Sequence, residues 1–509
     1  MQAHRETAGD VLLGIDVGTT GIKAIIARAN DGSVLATGFA PYPLYHPHPG
    51  WAEQNPDDWW AACAIAIRAC LADAAIAPDA IRGIGLSGQM HGAVLLDDVG
   101  VVVRPCIIWA DQRSGAECDE IHARVGLERL VALTGNPALT GFTAAKVLWV
   151  RNHEPEAFAR VRLLLLPKDY IRWRMTGKSA IERSDAAGTN LLDIHTGDWA
   201  HEVLAALDLP PSFVPPVCGS TEICGTLIAN AAAHLGLPAG IPVAGGGADN
   251  ACGAAGTGVV EPGTALLSIG TSGVVLAPSH EPRIDQSAPV PRIHTFFHAA
   301  PHLWYLMGVT QAAGLSLRWA RDMLATDGAG YDTLTAEAAS IPPGAQGLLF
   351  LPYLQGERAP HLDPQARGGW IGLTAAHTRG HLVRAVLEGV AFSLKDCFDL
   401  LAAQGLPLNQ LRITGGGARS PLWRQIFADI LERPIATLAA DEGPAFGAAL
   451  IAGTAVGLYP SLAQACAQTV RLGDETQPDP GSVAAYRTQY TLYRAAYPAL
   501  RDIMHALSR

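Results

Sequence analysis

A turn rich in glycine and threonine, set between two apolar runs, occurs twice in this chain. Residues 15–21 read Ile-Asp-Val-Gly-Thr-Thr-Gly, and they align without gaps on Leu-Ser-Ile-Gly-Thr-Ser-Gly at residues 267–273. Apolar, β-prone runs on both sides of a glycine turn predict a β-hairpin. A fainter repeat pairs Ala-Cys-Gly-Ala-Ala at 251–255 with Ala-Phe-Gly-Ala-Ala at 445–449, in the same order. We therefore predict an α/β protein of two related halves, with domains at 11–258 and 259–509.

Composition narrows the class of protein further. The 509 residues carry a formal net charge of −11, and 49% are hydrophobic while only 16% are charged. Disordered chains have the opposite composition. Partners that are nucleic acids or anionic membranes favour clustered Lys and Arg, so the acidic balance argues against both. The chain also holds 54 glycines, about half as many again as an average composition of ~7% would give.

The cysteines and the N-terminal segment bear on the cellular compartment. Nine cysteines are scattered through the chain and none forms a C-x-x-C pair, which predicts free thiols rather than a disulfide framework or a zinc site. Residues 1–10 are polar, and no apolar run approaches the ~20 residues of a membrane span. We expect a cytoplasmic protein without a membrane segment.

The two glycine hairpins indicate the chemistry. A tight Gly/Thr turn exposes consecutive backbone N–H groups and hydroxyls, which bind phosphate oxygens without a basic side chain. Two such hairpins facing each other would hold the phosphates of one nucleotide. They differ at one position, because Asp16 in the first corresponds to Ser268 in the second. A carboxylate at this place can hold a hydrated Mg²⁺. The alternative is that both are ordinary hairpins.

In three further segments, an apolar run is followed by glycines. Gly83-x-Gly85-x-x-Gly88 matches the dinucleotide fingerprint, but a β-like run follows where that fingerprint requires a helix. Residues 412–418 precede a capped amphipathic helix, a place where a base or phosphate can approach the backbone. Residues 245–250 place Asp249 at a predicted helix N-terminus, where it serves as a catalytic carboxylate or as a helix cap.

The remaining pattern predicts the main elements. Asn55-Pro56 with two acids behind it predicts the start of a helix that runs towards residue 75. Strands are expected at 81–86, 93–96 and 163–166, and a helix over 142–160 with a break near Pro155. An amphipathic helix is expected over 486–507, and Trp59 and Trp60 are expected in the core.

Several motifs together resemble the FGGY family of carbohydrate kinases, and they follow the family's order along nearly the whole chain. They are Gly-Ile-Asp-Val-Gly-Thr-Thr-Gly at 14–21, Gly-Gln-Met-His-Gly at 88–92, Ile-Ile-Trp-Ala-Asp-Gln-Arg at 107–113, Gly-Phe-Thr-Ala-Ala-Lys-Val-Leu-Trp-Val at 141–150, Leu-Leu-Pro-Lys-Asp-Tyr at 165–170, Ser-Asp-Ala-Ala-Gly-Thr at 184–189, Ser-Ile-Gly-Thr-Ser-Gly at 268–273, Leu-Pro-Tyr-Leu-Gln-Gly-Glu-Arg-Ala-Pro-His at 351–361 and Gly-Gly-Gly-Ala-Arg-Ser at 415–420. One departure is Ala248, which separates the three glycines from Asp249.

The resemblance implies two domains of the actin/hexokinase/Hsp70 (ribonuclease H-like) type, with ATP, Mg²⁺ and a sugar in the cleft between them. Asp249 matches the catalytic base and Asp16 the metal-associated aspartate. The implied sugar-binding residues are Met90, His91, Asp111, Asp249 and Asn250. The implied nucleotide-binding residues are Thr19, Thr20, Lys23, Gly270, Thr271, Gly314, Gly416, Gly417 and Ser420.

The expected reaction is transfer of phosphate from ATP to the terminal hydroxyl of a pentulose, D-xylulose. The family resemblance also suggests a homodimer. Gluconate, ribulose and glycerol are the alternative substrates, and a nucleotide-dependent sugar sensor without catalysis is the alternative class.

Single residues keep structural alternatives. If it does not bind sugar, His91 is a turn histidine, and Asp111 caps a helix that starts near Gln112. If it does not approach a phosphate, Lys23 is a solvated lysine at a strand edge. Glu357 and Arg358 are expected to form a structural ion pair near the cleft, outside the site.

Overall fold

The computed structural model describes residues 9–325, 327–440 and 442–508. Most of the polar N-terminal stretch discussed above, residues 1–8, lies outside this range. The strands are β1 Val11–Val17, β2 Gly21–Arg28, β3 Val34–Pro41, β4 Glu53–Gln54, β5 Ile81–Gly88, β6 Val94–Leu96, β7 Cys106–Ile107, β8 Leu163–Leu165, β9 Ile181–Glu182, β10 Val217–Cys218, β11 Ile223–Thr226, β12 Pro242–Ala244, β13 Gly247–Ala248, β14 Gly263–Ile269, β15 Gly273–Ser279, β16 His294–Phe297, β17 Trp304–Thr310, β18 Leu349–Leu351, β19 Gly369–Ile371, β20 Leu408–Thr414, β21 Ile435–Leu438 and β22 Leu472–Thr476.

The helices lie between these strands and at the C-terminal end of the described chain. They are α1 Pro56–Ala74, α2 Gly115–Val125, α3 Leu127–Thr134, α4 Thr143–His153, α5 Pro155–Phe158, α6 Pro167–Thr176, α7 Arg183–Ala186, α8 His201–Ala206, α9 Ala229–Leu235, α10 Asp249–Gly256, α11 Gly314–Leu324, α12 Tyr331–Ala339, α13 Arg379–Ala403, α14 Pro421–Leu431, α15 Pro444–Ala455, α16 Leu462–Thr469 and α17 Pro480–Leu507.

Two large sheets share one topology. The first runs β11-β12-β5-β1-β2-β3, with β13 also on β5, and the second runs β16-β17-β15-β14-β20-β21-β22. In each sheet, the two strands of the hairpin and a third strand beside them form an antiparallel set of three. Two further strands lie on the other side of the first hairpin strand and run parallel to it. Strands β1, β2 and β5 thus correspond to β14, β15 and β20. The predicted hairpins and the duplicated α/β architecture are confirmed.

The fainter repeat corresponds to two helices that cross at very close range. Residues 251–255 lie in α10 and residues 445–449 lie in α15. A Cβ added to Gly447 would stand 1.8 Å from the carbonyl oxygen of Cys252, so only glycine permits this approach. On its other side α15 packs on the first sheet, where Cβ atoms on Gly14 and Gly85 would stand 2.0 and 1.9 Å from backbone oxygens of α15.

The cores do not follow the sequence boundary near 259. Residues of α15 and α16 belong to the same buried cluster as the first sheet, together with Phe296, Phe297 and Tyr305. A second cluster surrounds α13 and includes the tyrosines of α17. Elements from the second half of the chain therefore complete the hydrophobic core of the first half. The predicted domain boundary at 259 stays a prediction.

Other local predictions are also met. Asn55 caps α1 through its side chain, with Pro56 at the first helical position, and the helix predicted over 142–160 breaks at Pro155. Trp59 and Trp60 are buried. All nine cysteines are free thiols, and eight are buried. No helix in the described part of the chain has the length and apolar character to cross a bilayer.

Candidate active site

The turn of the first hairpin is held by side chains that bind its carbonyl oxygens. Gln89 donates to the carbonyl of Gly18 at 3.3 Å, and Gln54 donates to that of Thr19 at 2.7 Å. The Trp109 indole donates to the Thr19 hydroxyl at 2.9 Å. No residue within the described ranges accepts a hydrogen bond from the backbone N–H of Thr19 or Thr20. The turn therefore presents these donors outward, as a phosphate site requires.

Asp16 and Asp249 flank strand β5 at the same end of the first sheet. Asp16 pairs in register with Ser87, and β13, which pairs with Ser87 and Gly88, leads directly into Asp249 at the start of α10. Oδ1 of Asp16 is buried and has no hydrogen-bond partner in the described structure. Burial raises the pKa of Asp249 to about 7, and the negative charge of Asp16 adds to this effect. The two carboxylates therefore interact electrostatically across a shared space.

The loop before Asp249 is fixed at several points. Gly246 has φ 78°, and a Cβ there would stand 2.0 Å from the carbonyl oxygen of Leu86. The guanidinium of Arg172 donates to the carbonyl of Gly245 at 2.6 Å, and the N–H of Ala248 donates to Oγ of Ser184 at 3.0 Å. Strand pairing with β5 holds the residues between these contacts.

Behind that loop lies a fully buried group of charged side chains. Nζ of Lys168 lies 3.0 Å from carboxylate oxygens of both Asp169 and Asp185, and Arg172 pairs with Asp169 at 2.8 Å. Glu182 accepts hydrogen bonds from the Ser184 hydroxyl and N–H. Burial raises the pKa of Asp185 to about 8. These charges partner one another rather than a ligand, so the group acts as a support for the loop.

Met90, His91 and Asn250 lie together beside Asp249. The Asn250 amide lies 3.8 Å from Sδ of Met90, and the Tyr305 hydroxyl lies 3.9 Å from the same sulfur. His91 has φ 70°, and its ring stacks on Phe142 with centroids 4.4 Å apart. Tyr305 belongs to the second sheet, so residues from both halves form this pocket.

The protonation of His91 follows from its surroundings. Its Nδ1 lies 2.7 Å from the carbonyl oxygen of Gly188, which has no hydrogen to donate, so Nδ1 carries the proton. Burial, reinforced by the charge of Lys146, holds the pKa of His91 well below its usual value. The ring is therefore neutral, and its Nε2 is a hydrogen-bond acceptor, as a hydroxyl-binding role requires.

Lys146 is the buried cation beneath this pocket. Its ammonium group donates to the carbonyl of His91 at 2.9 Å and to that of Gly141 at 2.6 Å. Burial lowers the pKa of this lysine to about 7. Lys146 thus links the two backbone segments that carry His91 and Gly141.

Asp111 is placed differently from the expectation of a direct sugar ligand. It is 0% exposed, and its Oδ2 accepts hydrogen bonds from the Ala52 N–H and the Arg113 guanidinium while its Oδ1 accepts from the Arg113 N–H. It does not cap a helix at Gln112, because α2 begins at Gly115. Its carboxylate is engaged in holding Arg113, and a sugar contact of Asp111 stays a prediction.

The predicted nucleotide-binding residues of the second half gather at the end of β14. The N–H of Gly314, at the start of α11, donates to the carbonyl of Gly270 at 2.8 Å, and those of Ala313 and Leu315 donate to Thr271. A Cβ on Gly314 would stand 2.5 Å from the oxygen of Gly270. Gly314 therefore supports the turn from behind, and Gly270 and Thr271 are exposed at its tip.

The glycine turn after β20 packs against the same strand end. A Cβ on Gly417 would stand 2.3 Å from the side chain of Ile269, whereas Gly416 has open space around it. Ser420 caps α14 by accepting a hydrogen bond from the Trp423 N–H at 3.3 Å. The turn leaves Gly416 accessible at the edge of the second hairpin.

Two sequence interpretations are wrong in their details. Lys23 is not a solvated strand-edge lysine, because its ammonium pairs with Glu442 at 2.7 Å and also donates to the Glu442 carbonyl. Glu357 and Arg358 do not form an ion pair. Glu357 instead accepts hydrogen bonds from the N–H of Arg358 at 2.8 Å and from the Thr310 hydroxyl at 2.6 Å.

Most of the supporting residues are not evident from the sequence. Lys146 and Ser184 lie within the motifs, Arg172 in α6 and Tyr305 in β17, and none carries a separate chemical signal there. The one available signal was charge within apolar surroundings, since Lys146 and Lys168 stand in otherwise buried segments.

Comparison with known proteins agrees with this geometry. The family model for the N-terminal domain of the FGGY family of carbohydrate kinases matches residues 11–256, and that for the C-terminal domain matches residues 265–456. The chain is 42% identical to the xylulose kinase of Escherichia coli strain K12, over 97% of this chain and 99% of that protein.

Solved structures extend the comparison to three dimensions. The xylulose kinase structure from Rhodospirillum rubrum is 35% identical, with a TM-score of 0.89 over 97% of this chain and 100% of that one. The gluconate kinase structure from Lactobacillus acidophilus is 28% identical, with a TM-score of 0.91 over 96% of this chain and 98% of that one.

A duplicated fold with two phosphate-type hairpins and a buried carboxylate pair defines a phosphotransferase of the sugar-kinase class. This chain belongs to the FGGY family of carbohydrate kinases. It is an ATP-dependent carbohydrate kinase.

Proposed function

We propose that the protein phosphorylates D-xylulose at its terminal hydroxyl with ATP, with Asp249 as the general base. The observation that carries the proposal is the position of Asp249 at the start of α10, beside Met90, His91 and Asn250 on one side and Asp16 on the other. The substrate follows from the similarity to xylulose kinases over 97% of the chain.

The proposed reaction needs a base because a neutral hydroxyl is a weak nucleophile. The Asp249 carboxylate accepts the hydroxyl proton as the sugar oxygen forms a bond to the γ-phosphorus. The bond from that phosphorus to the bridging oxygen breaks, and ADP leaves. With a pKa of about 7, Asp249 is a stronger base than an ordinary carboxylate and is still ionised in part at neutral pH, which suits general-base catalysis.

The remaining residues bind and orient. Sugar contacts are proposed for Met90, His91 and Asn250, with Nε2 of His91 accepting a hydroxyl hydrogen. Phosphate contacts are proposed for Thr19, Thr20, Gly270 and Thr271 on the two hairpins. Gly416, Gly417 and Ser420 are proposed to border the nucleotide base. Lys23 and Gly314 are proposed as further residues of the nucleotide site and Asp111 as a further residue of the sugar site, and each also holds a neighbouring segment in place.

The residues present fit a divalent cation. Asp16 offers a buried oxygen without a protein partner, and Mg²⁺ in phosphotransferases is commonly bound through one or two carboxylates, substrate phosphates and water. A Mg²⁺ ion bound at Asp16 would neutralise charge on the phosphate oxygens. Two further parts of the proposal, a cytoplasmic location and a homodimer, rest on the sequence and the family resemblance.

A substrate panel tests the proposal. Purified protein with ATP is assayed by coupled ADP detection against D-xylulose, D-ribulose, gluconate and glycerol. We expect kcat/KM for D-xylulose to exceed that of each rival by about tenfold or more. A higher value for gluconate, whose kinase shares this fold, would reassign the substrate. Calorimetric sugar binding without ADP formation would point to a sensor instead.

A further inference from the structure

Arg358 extends from the second half of the chain to the sugar-side wall formed by the first. Its guanidinium Nη2 lies 3.8 Å from the position that a Cβ on Gly141 would take. Burial lowers the pKa of both His91 and His294, and the charge of Arg358 adds to each shift. A cation from one domain thus faces the pocket residues of the other.

Among the residues that the structure describes, the Arg358 guanidinium has no hydrogen-bond acceptor. Within residues 9–325, 327–440 and 442–508, no carboxylate or carbonyl pairs with it, and the neighbouring Glu357 carboxylate binds its backbone N–H instead. Arg358 is nevertheless partly buried. Withdrawing a charged donor from water without pairing it costs free energy, so a position of this kind favours a ligand with oxygen acceptors.

Hydrogen bonds fix the backbone at Arg358, and this defines the position from which its side chain extends. Glu357 is 3% exposed, and its carboxylate joins its own loop to the end of β17. It accepts from the Arg358 N–H, the Gln311 N–H at 2.9 Å and the Thr310 hydroxyl. The N–H of Ala359 donates to the carbonyl of Val309 at 3.1 Å. These contacts anchor the backbone of Arg358 at the end of β17, beside the second hairpin.

The facing wall is equally fixed. Lys146 binds the carbonyls of both His91 and Gly141, and Gly141 has no side chain to fill the space that Arg358 enters. The neutral His91 ring offers an acceptor at Nε2, whereas Arg358 offers only donors. A sugar offers oxygens of both kinds, because a hydroxyl or carbonyl oxygen accepts from Arg358 and a hydroxyl donates to His91.

We propose that Arg358 is a substrate-binding residue that donates hydrogen bonds from the second domain to the sugar oxygens on the side lined by His91 and Gly141. This inference rests on the proposed function for the identity of the sugar. A cation that the sequence places outside the site is thereby assigned to the sugar rather than to the ATP phosphates. Sugar affinity then also depends on how closely the two domains approach.

The test is a kinetic comparison of Arg358→Met and Arg358→Lys with the wild type, using D-xylulose and ATP. We expect kcat/KM for D-xylulose to fall roughly 10- to 100-fold in Arg358→Met, the size typical of a lost hydrogen bond from a charged group. Arg358→Lys keeps the charge but not the planar fork, so it should recover part of the loss. The KM for ATP should change less than about twofold, because in this proposal Arg358 makes no hydrogen bond to the nucleotide.

Arg367→Met is the matched control, because Arg367 lies on the same segment and its guanidinium binds only the backbone carbonyls of Pro364 and Ala366. Unchanged sugar kinetics in Arg358→Met would overturn the proposal. So would a raised KM for ATP with an unchanged KM for sugar, which would assign the guanidinium to phosphate.

Sugar binding without nucleotide, measured by calorimetry, separates this proposal from the proposed function. If the wild type binds D-xylulose but forms no ADP, the proposed function fails, and weaker binding by Arg358→Met still supports the role of Arg358. Equal binding by the two proteins would overturn it. Thermal unfolding of each variant confirms that the folded protein is being compared, and Arg358→Lys remains informative if the Met variant is unstable.

Discussion

The backbone N–H of Ala248 donates to the hydroxyl oxygen of Ser184 at 3.0 Å, and Ala248 is the residue directly before Asp249. Ser184 in turn donates to Glu182 at 2.7 Å, within the buried charged group that also holds Gly245 through Arg172. The position of the proposed base is therefore set by side chains more than sixty residues earlier in the chain.

Replacing Ser184 by Ala should lower kcat with little change in the KM for either substrate. The lost hydrogen bond is worth about 1 kcal/mol. If all of that free energy orients Asp249, kcat should fall roughly fivefold to tenfold. Steady-state kinetics measure this. Ser340→Ala is the control, because the hydroxyl of Ser340 is exposed and binds only a carbonyl one turn earlier. Equal kcat in the two variants would contradict a positioning role.

Asp249→Asn should reduce kcat by about 10²- to 10⁴-fold, since general-base catalysis contributes about this much. The amide keeps the shape of the side chain but accepts no proton. Its thermal unfolding should match or exceed that of the wild type, because a buried charge next to Asp16 is removed. Asp198→Asn, at an exposed aspartate, should leave kcat unchanged. Near wild-type turnover of Asp249→Asn would reject the assigned base.

Activity should follow the ionisation of Asp249. Burial, and then the charge of Asp16, raise its pKa to about 7, and only the ionised carboxylate accepts a proton. The kcat/KM should therefore be constant above this pH and fall about tenfold per pH unit below it. Asp16→Asn removes the negative charge that helps raise the pKa, so the acidic limb should move to lower pH. A limb that stays in place would mean that another group controls it.

Gly447→Ala should destabilise the fold, because the new Cβ would stand 1.8 Å from the Cys252 carbonyl oxygen. Overpacking of this kind costs about 1–3 kcal/mol, read from denaturant unfolding. Gly253→Ala on the partner helix is the matched control, since its nearest neighbour outside the helix, Pro444, is 4.0 Å away. There alanine should be neutral or stabilising by up to about 1 kcal/mol. Similar effects in both variants would contradict the close approach of α10 and α15.

Chelation of divalent cations should abolish ADP formation, and added Mg²⁺ should restore it, because the hairpin turns at 18–21 and 270–273 contain no Lys or Arg to neutralise the phosphates. Asp16→Asn should need a higher Mg²⁺ concentration for half-maximal rate, since it removes the buried carboxylate oxygen that has no protein partner. The control is Asp79→Asn, a surface position. Full activity in excess chelator would contradict the assignment of Asp16.

The hairpins were predictable because their information is local. Apolar runs on both sides of a Gly/Thr turn specify β1–β2 and β14–β15, and the repeat of that pattern implied the repeated topology of the two sheets. Asn55 with Pro56 specified the start of α1 in the same local way. Asp249 was found at a helix N-terminus because the glycines before it and the alanines after it mark that boundary.

Charge pairing over long distances was not predictable. Lys23 is 419 residues from Glu442, the residue it pairs with, and nothing in either segment indicates the other. Adjacency in sequence was misleading for Glu357 and Arg358, because the backbone directs the carboxylate towards β17 and the guanidinium towards Gly141. Asp111 likewise has its oxygens engaged by Arg113 and Ala52, which only the packed structure reveals.

The sequence by itself determined the two related halves, the turns that present backbone donors and the carboxylates at strand and helix ends, since turn geometry and capping depend on a few neighbouring residues. Only the tertiary structure decided which charges are paired, which are buried and which face an open space. Those properties arise when distant segments exclude water from one another. The elevated pKa of Asp249 and the neutral His91 are consequences of that exclusion. So is the position of the Arg358 guanidinium, which has no acceptor in the described part of the chain.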